Sequence, residues 1–365
     1  MRILIAADYP APFSGNFIGS VLDLAVRIRD RGDEVSFLFS VTPGGERSWS
    51  RWIKENGFQV FYADLSATEQ EQLNFLKSVL KEKKIDLMHL HFGIYNRMIR
   101  KYAKELIPTK VLIHDHMGFG RNAEKAKRKA IPLSLIYAVN GYGLITVLEQ
   151  KKNAFIFMPR KWFLPNGLSF RRNLAAFADR TDTRKSLGIR EDEKLVTVFG
   201  WDPIIKGVDI AAQAIDKLRK QGQNVVLGLI GGNIEKYCST IERAGLDPKA
   251  GWVKFIDSRE DVFSLHRAAD VLLSASRSEG FPYAILEAIS QNTPVVFSSI
   301  PGTKWVEQYE KGVKYPTEDP DACADALSRA LEYGDDPSNA EEIIKKYSIE
   351  TWCDQILDIY DKMIS

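Results

Sequence analysis

Cysteine is scarce. Three residues in 365, Cys238, Cys323 and Cys353, stand far apart and in odd number, which argues against a disulfide framework and against a cysteine-built zinc site. Long apolar runs are missing as well, and nothing approaches the roughly 20 residues of a membrane span. The opening MRILIAADYP holds about five apolar residues before an aspartate. That is too few for a secretory signal and enough for a buried first strand. No low-complexity tract and no repeat with matching residues is present. With 45% hydrophobic and 27% charged residues, the composition is that of a soluble globular protein, expected in the cytoplasm. A chain of this length is too long for one core, so two domains are the default.

Net charge is only +2, yet it is unevenly spread. Residues 1–167 hold 25 Lys and Arg against 16 Asp and Glu, whereas the remainder holds 25 against 32. Ten basic and three acidic side chains fall within 97–129, including KAKRK at 125–129. The plain reading is a solvated helix face; the sharper one is a surface for an anionic membrane or an anionic acceptor. Nucleic acid is not an expected partner.

Short apolar runs alternate with amphipathic stretches throughout. RILIAA (2–7), EVSFLFS (34–40), KIDLMHLHF (84–92), KVLIHDH (110–116) and GLITVL (143–148) read as strands, with a helix over 20–31 and helical segments between. After the turn-rich FLPNGLSF (163–170) the alternation restarts with KLVTVFG (194–200), NVVLGLIGG (224–232), WVKFI (252–256), DVLLSAS (270–276) and TPVVFSS (293–299). Helices are expected at 207–220, 235–243, 260–268 and 282–291. Continuous apolar strands separated by helices mean parallel sheets covered on both faces. The fold class is therefore α/β: two Rossmann-like doubly wound domains, 1–167 and 168–348, with a last amphipathic helix over 349–365. Such sheets bind ligands at the carboxyl ends of their strands, so a cleft between two facing domains is the expected site.

Four stretches lie on those rims. In SEGFPYAILEA (278–288), Glu279 follows a strand and Glu287 falls within the next helix, among Ile285, Leu286 and Ile289. A charge there is costly unless something binds it. Pro282 suits the first helical position, and the amides of Gly280, Phe281 and Tyr283 at the helix start would make an anion site. On spacing alone, a surface acid and an ion-paired helix residue explain the pair equally well. In VFGWDPIIKGVDI (198–210) a strand ends at Gly200, and Lys206–Gly207 opens a helix. In VLIHDHMGFGRN (111–122), His114 and His116 end a strand. His-x-His invites a metal, but no further ligands of fitting spacing appear, and no metal is expected. The loop PAPFSGNF places Gly15 where backbone can approach a ligand, without the dinucleotide fingerprint of a dehydrogenase.

SEGFPYAILEAISQNTPVV, with HRAADVLLSASR before it, resembles the E-x7-E signature of retaining glycosyltransferases of the GT-B fold, family 4 (glycosyl transferases group 1). The resemblance extends to the linker LPNG (164–167) and to YSIETWCDQILDIY (347–360), a helix that in such proteins returns to the first domain. It implies that Glu279 holds hydroxyls of the donor sugar, that Glu287 holds the ribose, and that the backbone of Gly280, Phe281, Pro282 and Tyr283 meets the sugar and diphosphate. Lys206 matches the lysine of the family's G-R-x-x-x-x-K-G segment. The arginine position is Trp201, a departure that Arg277, Arg97 or Arg121 would have to compensate. The resemblance places a histidine near the reacting carbon: His116, with His114 as the alternate. HLH (89–91) matches a pattern that is structural rather than catalytic, and SSIPGTKWVEQ (298–308) carries no assigned role. Gly15 falls in the donor/acceptor loop. What is implied is a metal-independent, cofactor-free transfer of a hexose from a nucleotide sugar, a UDP-sugar first, to a carbohydrate, lipid-linked or small-molecule acceptor, in glycan or polysaccharide biosynthesis. The alternatives are a catalytically weak nucleotide-sugar-binding or scaffold relative and a nucleotide-sugar 2-epimerase.

Overall fold

The computed structural model describes the chain except residues 12, 42–45, 121–122 and 172–178, and the side chains of 96, 97 and 123. Two compact units divide it: Met1–Arg171 with Ser348–Ser365, and Arg172–Tyr347. The first unit runs four residues past Gly167.

The first unit is built on a seven-stranded sheet of order β3-β2-β1-β4-β5-β6-β7, parallel throughout. Its strands are β1 Arg2–Ala7, β2 Glu34–Ser40, β3 Gln59–Ala63, β4 Leu87–His91, β5 Lys110–Asp115, β6 Gly143–Thr146 and β7 Lys161–Phe163. Ile3, Leu4, Ile5, Ala6 and Ala7 are wholly buried, as a central strand covered on both faces requires. The final helix Ile349–Ile364 belongs to this unit and packs against the helix Gly15–Asp30. Two glycines seat it. A Cβ on Gly167 would collide with the Trp352 side chain, and one on Gly143 with the Met363 sulfur. Arg27 and Arg31 pair with Asp354 (2.8 Å) and Asp361 (3.1 Å) along the exposed seam.

The second unit carries a six-stranded parallel sheet of order β10-β9-β8-β11-β12-β13. Its strands are β8 Lys194–Phe199, β9 Val225–Ile230, β10 Val253–Ile256, β11 Val271–Ser274, β12 Val295–Ser298 and β13 Gly312–Tyr315. Strand order reverses between β8 and β11, which makes their carboxyl ends the switch point of the sheet. The helices Val208–Lys220 and Tyr283–Ser290 start from those two ends. Among the described residues, no helix is long and apolar enough to cross a membrane.

Candidate functional site

Two glycines let the turn after β8 close on β11. A Cβ on Gly200 would stand 2.8 Å from the Tyr237 ring. Gly207 has φ +66°, and a Cβ there would fall on the Ala275 carbonyl, so no other residue fits without displacing backbone. Between them Asp202 Oδ1 accepts from the amides of Ile204 (3.1 Å) and Ile205 (3.0 Å), forming an Asx turn. The result carries Lys206 Nζ to 2.6 Å from Glu279 Oε1, with both side chains largely buried. Ser276 Oγ donates to the same carboxylate oxygen at 2.6 Å. Lys206, Ser276, Glu279 and Pro282 line a pocket with ≈ 300 Å³ of empty space, floored by Phe199, Leu273 and Ile285.

The segment after Glu279 differs in detail from its expected form. Pro282 is the N-cap, with φ −72° and ψ 119°, and the helix begins at Tyr283. As a proline it supplies geometry and no N–H. Phe281 and Tyr283 also have partners within the fold. The Phe281 ring is buried and stacked on Trp305 (centroids 4.5 Å, 18°), with Tyr347 at 5.1 Å. Its side chain is therefore a packing element. Gly302 explains PGTKW, which the sequence left without a role: a Cβ there would fall on the Glu279 and Gly280 carbonyls. The 3₁₀ helix Pro301–Gln308 thus supports the backbone that presents Glu279.

Glu287 lies in the second turn of the helix Tyr283–Ser290 and is buried. Its Oε2 is 3.7 Å from His266 Nε2. His266 is fully buried, stacked on Phe199 (5.0 Å), and neither ring nitrogen has a hydrogen-bond partner. Sequence reasoning passed over it; its only signal was an imidazole one turn ahead of the apolar strand in HRAADVLLS. Arg277, an alternate for the arginine position taken by Trp201, is engaged within the fold. It is held bidentately by Asp209 (2.9 and 2.7 Å), by Glu318 (2.7 Å) and by the Ile204 carbonyl (2.6 Å), and the Asp209 hydrogen bonds raise its pKa further. Arg97 and Arg121 fall on side chains outside the described set. Trp201 itself is exposed, with the Lys206 ammonium 5.7 Å from its ring centroid.

In the first unit, the strand register places His91 beside His114, and alternation along β4 and β5 puts His89, His91, His114 and His116 on one face. The rings form a stacked ladder, 4.2 Å between His89 and His91 and 4.1 Å between His114 and His116. Hydrogen bonds join them across the strands: His89 Nε2 to His114 Nδ1 at 3.3 Å, and His91 Nδ1 to His116 Nε2 at 2.8 Å. Tyr360 of the final helix closes on His89 Nδ1 at 2.7 Å. Ligand-type nitrogens of His89, His91 and His114 come within 4.8 Å of one another, a grouping that linear spacing concealed. Both nitrogens of His89 are nonetheless engaged in hydrogen bonds, so the geometry is that of paired neutral imidazoles. Burial drives all four pKa values down, to about 3 for His89 and about 4 for His116, with His91 and His114 well below the usual value. An Asn166 hydrogen bond opposes the shift at His116. His114 is buried within β5, whereas His116 lies one residue beyond Asp115, at the strand's end, and is only partly buried. Gly15 (φ +54°) opens its helix, and a Cβ there would stand 2.5 Å from the Tyr9 hydroxyl, a packing reason for glycine.

Residues 179–348 match the family Glycosyl transferases group 1. The D-inositol 3-phosphate glycosyltransferase of Xylanimonas cellulosilytica is 30% identical over 162 residues, 42% of this chain and 37% of that protein. The N-acetyl-alpha-D-glucosaminyl L-malate synthase of Bacillus anthracis is 22% identical over 319 residues, 82% of this chain and 80% of that protein. This chain spans about half the length, or less, of the curated relatives that it matches at 27–30% identity. Among solved structures, Anabaena Alr3699/HepE in complex with UDP-glucose superposes with a TM-score of 0.75 at 18% identity, over 99% of this chain and 100% of that one. Two Rossmann-like units of the GT-B type are thus the fold of this chain.

Proposed function

We propose, from the premise that residues 179–348 belong to the glycosyl transferases group 1 family, that this chain is a retaining glycosyltransferase using a nucleotide diphosphate sugar. The observation that carries the reading is the Lys206–Glu279–Ser276 cluster at the β8/β11 switch point, with Glu287 buried one helix turn beyond it. In this reading Glu279 accepts hydrogen bonds from the donor sugar, Glu287 from the ribose, and Gly280 to Tyr283 lie along the sugar diphosphate. The bond between the anomeric carbon and the diphosphate oxygen breaks as the acceptor oxygen bonds to that carbon on the same face. The acceptor proton passes to the departing diphosphate. Lys206 compensates the charge that builds there, and the D-x-D at Asp319–Asp321 serves the fold, with Asp319 Oδ1 accepting from the Ala322 amide at 2.9 Å as a helix cap. His116 of the first unit is the proposed histidine of the reaction.

UDP-sugars are the first donors to test, supported by the UDP-glucose complex of the Anabaena neighbour. The basic stretch 97–129 is assigned to an anionic acceptor or a lipid headgroup, which would put the protein at the cytoplasmic face of a membrane. A thermal-shift screen of UDP-, GDP- and ADP-sugars, followed by an assay for released nucleotide, tests the reading. A shift with one nucleotide series and release of that nucleotide support it; no shift and no release with any of them overturns it. Nucleotide binding without release or transfer would favour the nucleotide-sugar-binding scaffold instead.

A further inference from the structure

Ser276 stands just past the end of β11 and is 2% exposed. Its hydroxyl ends a column of buried hydroxyls. Thr303 Oγ1, in the 3₁₀ helix Pro301–Gln308, donates to the Ser298 carbonyl (2.7 Å). Ser298 Oγ, at the end of β12, donates to the Ser276 carbonyl (2.6 Å), and Ser276 Oγ donates to Glu279 Oε1 (2.6 Å). Ser298 and Thr303 are wholly buried. A hydroxyl carries a single proton, and in this column each is spent on the residue next nearer to Glu279. Gly302, fitted beneath the Glu279 carbonyl, braces the backbone of the same residue that the column holds by its side chain.

Among the described residues, both side-chain donors to Glu279 fall on one oxygen: Ser276 Oγ and Lys206 Nζ each stand 2.6 Å from Oε1. A carboxylate oxygen offers about two lone-pair sites, so Oε1 is filled from within the fold and Oε2 is left for a ligand in the pocket that Glu279 lines. The two donors differ in kind. The Lys206 ammonium rides on a flexible four-carbon stem and keeps further N–H groups for an anion, so it brings charge without a fixed point. Ser276 Oγ hangs by one methylene from backbone that the Ser298 hydroxyl ties down, so it sets where Oε1 must lie. We propose that Ser276 is the positioning residue of Glu279: it pins Oε1, and Oε2 meets the donor sugar through about two hydroxyls at most. The role toward the sugar rests on the donor reading above; the role toward the carboxylate does not.

Two readouts test it, one of which needs no donor. In crystals of Ser276→Ala, the Glu279 carboxylate is expected to leave its wild-type position or to occupy more than one rotamer. The second readout is nucleotide release and transfer from the nucleotide sugar that the screen above returns, UDP-glucose first. Ser276→Ala lowers kcat/KM about tenfold, the worth of a hydrogen bond to a charged group, while UDP affinity in calorimetry stays within error. In a Glu279→Ala background the same substitution changes kcat/KM by less than about twofold, because Ser276 acts through that carboxylate. A packing defect would cost as much with the carboxylate as without it. Wild type penalises the loss of one or two sugar hydroxyls among deoxy analogues of the donor, and Ser276→Ala shrinks those penalties. The proposal is overturned if Glu279 keeps its single wild-type rotamer in the variant, if the losses are equal in the two backgrounds, or if UDP affinity falls as far as transfer does. Failure of the donor reading looks different: wild type then releases nucleotide from no nucleotide sugar, and the crystal comparison still decides what Ser276 does for Glu279.

Discussion

At the scale of single residues, the candidate site rests on side chains whose losses should separate by readout. Glu279→Gln keeps shape but removes the charge that Lys206 pairs with and turns one of the two acceptor oxygens proposed for sugar hydroxyls into an NH2 donor. Transfer should fall about 10- to 100-fold, the worth of a hydrogen bond to a charged group, with UDP affinity nearly unchanged. Glu287→Ala should do the reverse, weakening UDP binding by a similar factor in calorimetry. If the two variants gave the same pattern, separate sugar and ribose roles would be lost. Gly207→Ala is a backbone test of the same geometry. Its φ of +66° and the Ala275 carbonyl in the way of a Cβ mean that either the turn moves or the domain loses stability. Strain of that kind costs of order 1–3 kcal/mol, so a lower thermal midpoint together with reduced nucleotide release is expected.

At the scale of elements, the helix Ala123–Val139 sets lysines and an arginine (Lys125, Arg128, Lys129) before an exposed apolar end. Ile131, Leu135 and Ile136 are exposed there, Val139 to 78%, and Ile156 and Phe157 of a neighbouring turn are exposed beside it. If this element meets a membrane, vesicles with anionic lipid should co-sediment with the protein and neutral ones should not. A Leu135→Glu/Val139→Glu pair and high salt should each reduce binding about tenfold or more; binding indifferent to both would remove the idea. The basic run was legible in the sequence, but the apolar end was not, because Ile and Leu in a helix read by default as core-facing. Legibility followed burial in the sheets too. The inner strands announced themselves as unbroken apolar runs, and the edge strand β10 was legible in WVKFI, while the other three edges, β3, β7 and β13 (QVFYA, KWF and GVKY), were not. An edge strand is half solvated and carries mixed side chains. In the site, Glu279, Glu287 and Lys206 were readable because their spacing is local. His266 beneath Glu287 and Gly302 beneath Glu279 were not, since each acts through a contact between segments far apart in the chain.

At the scale of the whole molecule, the histidines divide unevenly. Of five, four form the ladder in the first unit, and the second holds His266 alone. The ladder's imidazoles are neutral because burial, and then their neighbours' charges, push their pKa values down. The sign follows directly. Above about pH 6.5 neither the folded nor the unfolded chain protonates them, and their contribution is independent of pH. Below it the unfolded chain binds protons that the folded one refuses, so stability falls until the folded values are reached, about 4 for His116 and about 3 for His89. Each imidazole that stays neutral contributes a slope of about 1.4 kcal/mol per pH unit, and four acting together would make the first unit acid-labile well before its carboxylates titrate. Hydrogen exchange read by mass spectrometry at pH 7.5, 6.5 and 5.5, corrected for intrinsic rates, should show peptides of β4 and β5 losing protection as pH drops while those of β8 and β9 hold theirs. Equal behaviour in the two units would mean that the ladder already carries a proton in the fold. His89→Phe, which removes one titrating ring and leaves the Tyr360 hydroxyl without its partner, should lower stability at pH 7.5 yet flatten the dependence below 6.5, a combination that lost packing alone does not produce.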